Sequence, residues 1–152
     1  MPLDQSFTGR TYPPTPPYLV GREKIREFAR AIGDLNPAYF DVEAARALGH
    51  RDLVAPPTFA IVVSLEAAHQ VVLDPALGLD YSRVVHGEQR FEIHRPIQAG
   101  DEVNVVVIVE KIRSVGGNDI ITTRGEISTV AGERLATAFS TLVARAPDEV
   151  PA

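Results

Sequence analysis

The chain has 152 residues, 45% of them hydrophobic, with 20 acidic against 15 basic side chains and no cysteine. That size supports one domain with its own core, while a net charge of −5 without a Lys/Arg cluster lacks the electrostatic footprint of a nucleic-acid binder. Disulfides, thiolate metal sites and a cysteine nucleophile are excluded, and His50, His69, His86 and His94 lack metal-ligand spacing, so neither metal nor cofactor is expected.

Pro13, Pro14, Pro16 and Pro17 make the entry segment stiff and extended. Ile25, Phe28, Ala29 and Ile32 then recur at i, i+3, i+4 and i+7, which predicts a helix over Arg22–Ile32 with Gly33 at its C′ position. Glu23, Arg26, Glu27 and Arg30 are expected on its wet side. Asp41 can cap a short helix, Val42–Leu48, that Gly49 ends. From Thr58 to Leu73 the sequence is apolar around most of a helix, interrupted only by Ser64, Glu66, His69 and Gln70, and Pro56 and Pro57 precede it where a missing N–H costs least. Such a helix is buried on most sides. No apolar run nears the roughly 20 residues that span a bilayer, and the N-terminus has no signal-peptide layout, so a cytoplasmic protein that avoids membranes is expected.

Beyond Tyr81 the period changes. Arg83–His94, Glu102–Ile112, Ile120–Val130 and Arg134–Arg145 are β-branched-rich runs separated by turn residues, and they read as consecutive antiparallel strands. In the third, Ile121, Thr123, Gly125, Ile127 and Thr129 alternate with polar neighbours, giving one packed and one wet face. In the last, Leu135, Thr137, Phe139, Thr141 and Val143 are the expected inner face, and His86 and His94, eight residues apart, should share a face by parity. The architecture is therefore α+β, an antiparallel sheet wrapped around a long buried helix. Residues 1–146 form one domain in this reading and 147–152 a flexible tail.

Three groups of residues carry a family resemblance: Phe28 through Pro37, reading FARAIGDLNP; Ala55 through Phe59 at the entrance of the central helix; and His94-Arg95-Pro96 with Ala99-Gly100-Asp101 in the first hairpin. Together they resemble the MaoC-like (R)-specific hydratases and dehydratases of the hot-dog fold, across most of the chain. The resemblance implies an acyl-CoA or acyl-ACP thioester as ligand. In that family a loop of the form Asp-x-Asn-Pro-x-His supplies an acid and a base, because interconverting hydroxyacyl and enoyl thioesters moves a proton at C2 and expels or adds water at C3. A backbone N–H at the start of the central helix serves the thioester oxygen.

Two departures stand out. Asp34 occupies the acid position and Asn36 the turn that follows, but Tyr39 stands where the family has histidine. A phenol titrating near 10 is about three units from efficient proton transfer at neutral pH, a barrier cost of several kcal/mol. Pro56-Pro57 replaces the family's His-Gly, and proline has no N–H to donate. Thr58 or Phe59 could offer theirs about one residue displaced, and an oxyanion donor lost costs ~10²- to 10³-fold.

With both parts absent, the chain resembles the base-less subunit of actinobacterial (3R)-hydroxyacyl-ACP dehydratases, in which a second hot-dog chain carries the catalysis and this one forms the acyl channel. The expectation is an acyl-thioester-binding subunit that partners a catalytic MaoC-like chain in fatty-acid metabolism, with Asp34 vestigial, Tyr39 filling the histidine's place, and Asn36, Thr58, Phe59, Ile61 and Val62 facing substrate. The alternative is a self-sufficient homodimeric hydratase in which Asp34 is the acid and one of the four histidines folds back toward it. Local structure alone accounts for some of these residues as well: an Asp between Gly33 and Asn36 builds turns, and His50 after a helix end suits the helix dipole.

Overall fold

In the computed structural model, which describes residues 2–146, the helices precede the four long strands along the chain, in line with the change of period. After a two-residue strand β1 (Tyr18–Leu19) come α1 (Arg22–Ile32), α2 (Val42–Ala47) and α3 (Ala60–Val72). Four strands then run in succession: β2 (Val84–Ile93), β3 (Glu102–Val115), β4 (Asn118–Thr129) and β5 (Arg134–Ala144). All pairings are antiparallel, in the order β1-β3-β4-β5-β2. Helix α3 packs across β3, β4 and β5, so the expected sheet around a central helix is observed. The proposed tail, 147–152, lies outside the described residues.

Helix α1 buries Ile25 and Ala29, and its Phe28 ring meets Phe59 edge-on with centroids 5.5 Å apart. Ile32, expected on the same stripe, is 47% exposed, because the helix leaves the core at its last turn. Arg26, expected to face water, also ties α1 to the following loop by donating to Phe40 O at 3.1 Å. On α3 the buried side comprises Ala60, Val63, Ser64, Ala67, Val71 and Val72, whereas Leu65 is 48% exposed. Burial of α3 is thus one-sided, and an apolar flank remains open.

Alternation on β4 holds: Ile121, Thr123, Gly125 and Ile127 point into the core. On β5 the expected parity is overturned. Ile127 pairs with Ala136 and Ser128 with Arg134, so Leu135 is an extra residue in a bulge, and from there Ala136, Ala138, Ser140 and Leu142 oppose the inner residues of β4. Thr137, Phe139, Thr141 and Val143 take the outer face, where Phe139 lies beneath the Arg90 guanidinium at 3.9 Å. Side-chain size misled the reading; the bulge at Leu135 decides which residues of β5 face inward. A Cβ at Gly125 would stand 3.3 Å from Val105 Cγ1. A second bulge, between His86 and Glu88, likewise breaks the expected parity of the histidines. His86 reaches inner-face Ser140 at 3.2 Å, and His94 reaches outer-face Thr137 at 3.2 Å.

The sheet has two edges of different character. Along β3 the proline-rich entry segment lies as a cover, with Gly9, Tyr12 and Thr15 N–H donating to Val109, Val107 and Val105 O at 2.7, 2.9 and 3.0 Å. Beyond β2 no strand follows among the described residues.

The β2–β3 connection is held by Asp101, whose side chain is only 3% exposed. Arg95 donates to both its oxygens at 2.9 and 3.0 Å, Arg51 to one at 3.2 Å, and the Gln98 amide to the other at 2.8 Å. Burial alone would push this carboxyl up; the Arg95 and Gln98 hydrogen bonds and the charges of Arg95 and Arg51 outweigh it and hold the carboxyl below the usual value. Replacing Asp101 by Asn is expected to cost about 2 kcal/mol, since it removes the buried anion shared by Arg95 and Arg51 and leaves Arg95 with only the exposed Glu133, measured as a shift in urea midpoint. Because the folded pKa lies below the unfolded one, the contribution is complete above about pH 4 and is lost as pH falls through the folded value. Wild type and Asp101→Asn should therefore converge in stability as pH falls through the folded value, and a gap that stays constant with pH would contradict this.

Candidate functional site

The motif loop is built from turn chemistry. Gly33 adopts φ 72°, and its N–H and that of Asp34 return to Arg30 O and Ala29 O at 3.1 and 3.0 Å, a Schellman ending that halts α1. The Asp34 carboxylate accepts from Asn36 N–H at 3.3 Å, and Asn36 Oδ1 accepts from Ala38 N–H at 3.0 Å, capping the single 3₁₀ turn Pro37–Tyr39. Asp34 and Asn36 are solvent-exposed, whereas this turn carries Tyr39 inward to 9% exposure.

Residues 51–55 are zipped into place on the other side. Val54 N–H donates to Ala38 O at 3.2 Å, Ala55 N–H to Ile97 O at 2.7 Å, and Ala99 N–H to Leu53 O at 2.9 Å. Arg22 grips Asp52 with two bonds of 3.0 and 2.8 Å, fixing this segment against the start of α1. The chain therefore delivers Pro56 and Pro57 beside Tyr39, and a cavity of about 240 Å³ opens between them. Asn36, Tyr39, Leu48, His50, Pro57 and Ile93 are among its walls.

Of the expected site residues, Asn36 and Tyr39 lie on the cavity wall and others do not. Phe59 is fully buried against Phe28 and belongs to the core. Its N–H is committed to Pro56 O at 2.9 Å, so of the two displaced donors only Thr58, exposed at the helix entrance, remains a candidate. Ile61 and Val62 are half-buried on α3, away from this cavity's walls. Leu48, His50 and Ile93 were not foreseen as walls. The signal for His50 lay in the spacing: α2 is short enough that the turn at Gly49 brings the next residue back over the motif loop.

Electrostatics disfavour a base at this site. Burial pushes the Tyr39 phenol up, and the neighbouring Asp34 carboxylate pushes it further through its charge and hydrogen-bonding contact. At neutral pH the phenol is a proton-bearing donor. No cluster of three or more His, Cys, Asp or Glu able to hold a metal occurs among the described residues.

Comparison with known proteins now has geometry to meet. Residues 6–138 match the family described as FAS1-like, dehydratase domain region. The chain belongs to the MaoC-like dehydratase family of hot-dog fold. It is 62% identical over 151 residues to a UPF0336 protein of Saccharopolyspora erythraea, covering 99% of this chain and 97% of that one. A solved MaoC-like dehydratase superposes with TM-score 0.86 at 39% identity, over 95% of this chain and 44% of the other, which is more than twice as long. The HadBC (3R-hydroxyacyl-ACP dehydratase) complex of Mycobacterium tuberculosis, in a C-terminally truncated form, superposes with TM-score 0.77 at 36% identity, over 90% of this chain and 96% of the matched one. No helix among the described residues is long and apolar enough to cross a membrane.

The Tyr39 phenol should titrate above the ordinary value near 10, and Asp34→Asn should lower its pKa by removing the adjacent charge. Tyrosine ¹³C NMR, with Tyr39→Phe identifying the resonance, measures both. A Tyr39 resonance titrating below 10, or one indifferent to Asp34→Asn, would remove the pairing of these two groups.

Proposed function

We propose that this MaoC-like protein is an acyl-thioester-binding, non-catalytic subunit of a (3R)-hydroxyacyl-thioester dehydratase or enoyl hydratase of cytoplasmic fatty-acid metabolism, completed by a catalytic hot-dog partner. The observation that carries the reading is the occupant of the base position: Tyr39, buried, proton-bearing and made less acidic by Asp34. A dehydratase site must take the C2 proton and give it to the departing C3 hydroxyl, and a phenol held neutral cannot begin that exchange at neutral pH. The helix entrance supports the same conclusion, because Pro57 carries no N–H and the Phe59 N–H is already bonded.

The free β2 edge supports a partner. An unpaired strand row is a template for another chain, and Leu65, Tyr81, Val85 and Ile93, which lie on or near that edge, are 41–53% exposed apolar side chains of the kind an interface covers. Ile93 is also a wall of the cavity, so a partner seated on β2 would close the pocket from that side. The relative named HadBC is itself a complex of this fold, which favours a hetero-oligomer over a homodimer.

One observation favours the rival reading, a self-sufficient homodimeric hydratase: His50 lines the same cavity as Tyr39. An assay of crotonyl and longer enoyl thioesters, with the purified protein alone and mixed with an intact MaoC-like partner, separates the two. Turnover is expected only in the mixture. Turnover by the protein alone that disappears in both Asp34→Ala and His50→Ala would establish the rival. Tyr39→His by itself is expected to remain inactive, at least ~10²-fold below an intact family site, because the donor at position 57 is still missing; brisk hydration by that single variant would refute this account of the helix entrance.

A further inference from the structure

The two edges of the sheet differ in what they offer another chain. Residues 9–17 run along β3, and the amides that donate to it, Gly9, Tyr12 and Thr15, stand three residues apart. β3 answers at two points: Val109 N–H donates to Arg10 O at 3.0 Å, and Val105 N–H to Thr15 Oγ1 at 2.9 Å. β1 continues the cover to Val103 and Glu102, so the edge is occupied from Glu102 to Val109. Pro13, Pro14, Pro16 and Pro17 fall between or after the donating positions. All four are exposed and none carries an N–H, so the outward rim of the cover has no donor across that stretch.

The cover is fastened at its start. Phe7 is buried, the Arg10 guanidinium lies 3.8 Å over its ring, and the Tyr12 phenol donates to Asp74 Oδ2 at 2.8 Å just beyond the end of α3. Arg10 reaches the same oxygen at 3.4 Å. Burial and the Asp74 carboxylate push the Tyr12 phenol up to about 12, so this latch keeps its proton across the physiological range. β2 has nothing comparable. Its residues, Val84–Ile93, include no proline, and among the described residues only β5 pairs with it.

If both edges were open, β2 of one copy could pair with β3 of the next, a head-to-tail contact whose repetition has no natural end. With β3 sealed, a chain joined to another through β2 has no edge left for a third. We propose that residues 9–17 are an edge guard that limits self-association of this protein to a closed pair of copies, and that the prolines make the guard's own rim unusable as a template. The inference is independent of what the Tyr39 cavity binds.

Sedimentation velocity of the full-length protein across a wide range of concentration provides the test, on wild type and on a variant carrying Pro13→Thr, Pro14→Thr, Pro16→Thr and Pro17→Thr together. Wild type should stay at or below the mass of two chains, whereas the variant, whose rim regains its donors, should grow past that mass as concentration rises. A folded variant that stays within two chains overturns the guard, as does a wild type that itself keeps growing. If the fourfold variant does not fold, Thr15→Pro takes its place: it removes both Thr15 bonds to Val105 within a run that is already proline-rich. That change should speed hydrogen exchange of the Val105 amide by about tenfold or more and again raise the mass beyond two chains. Unchanged exchange or unchanged mass overturns the proposal. Wild-type Val105 and Val109 amides that exchange as fast as the exposed amides of β2 would overturn it without any variant.

Discussion

Everything in this protein is arranged around the cost of leaving α3 uncovered. Its sequence is too apolar to sit on a surface, and each buried Val on it contributes on the order of 2 kcal/mol only if the covering layer lies close. Gly125, Ala136 and Ala138 line the inner face, and a Cβ at Gly125 would crowd Val105 on the neighbouring strand. The β-bulges on β2, β3 and β5 belong to the same requirement, since each changes which residues face inward without breaking the ladder. Cover is incomplete on the flank of Leu65, and the same flank faces the strand edge that has no neighbour.

The active-site loop of the family survives here as a piece of architecture. Gly33, Asn36 and Pro37 still end one helix and cap the next turn, so the loop keeps its shape and presents position 39 to the cavity whatever side chain stands there. Asp34, which in a working site would share protons with an imidazole, now sits beside a phenol and makes it a weaker acid. The Asp101 cluster and the Arg22–Asp52 pair show where this protein does use its charges, namely to fix the segments that frame the pocket.

Much of this was legible in the sequence, for reasons that differ by element. Helix α1 announced itself by a 3.6-residue period and a glycine suited to a left-handed ending, and α3 by the lack of any polar face; both are local signals. The strands were legible as runs, but their faces were legible only where no bulge intervened. On β4 the alternation held throughout, while on β5 the extra residue at Leu135 inverted it, and no property of residues 134–144 alone marks that insertion. Within the site, Tyr39 and Asn36 were found because a motif carries them. Phe59 was misassigned to substrate because an aromatic at a helix entrance looks alike whether it faces ligand or core; its partner Phe28 lies on another helix, beyond the reach of any local pattern. His50 and Ile93 enter the cavity by tertiary return of the chain, which periodicity cannot express.

The two prolines at the entrance of α3 deserve a physical reading beyond the donor they remove. A helix whose first amide points at a substrate oxygen needs that amide free and the preceding backbone adaptable. Pro56 and Pro57 lock two successive φ angles, and Pro56 O holds the Phe59 N–H in a 3₁₀ turn. That arrangement stiffens the entrance at the cost of its chemistry, and it anchors Phe59 where it packs against Phe28 and joins α3 to α1. Rigidity of this kind suits a wall. In the proposed subunit role, a pocket half that performs no proton transfer would gain from holding Tyr39, Pro57 and Ile93 in place, so that a chain seated against β2 would find the other half of its cavity already formed. On the proposed reading, Tyr39 in the base position and the prolines at the helix entrance are two consequences of one change of role, from reacting with an acyl group to positioning it.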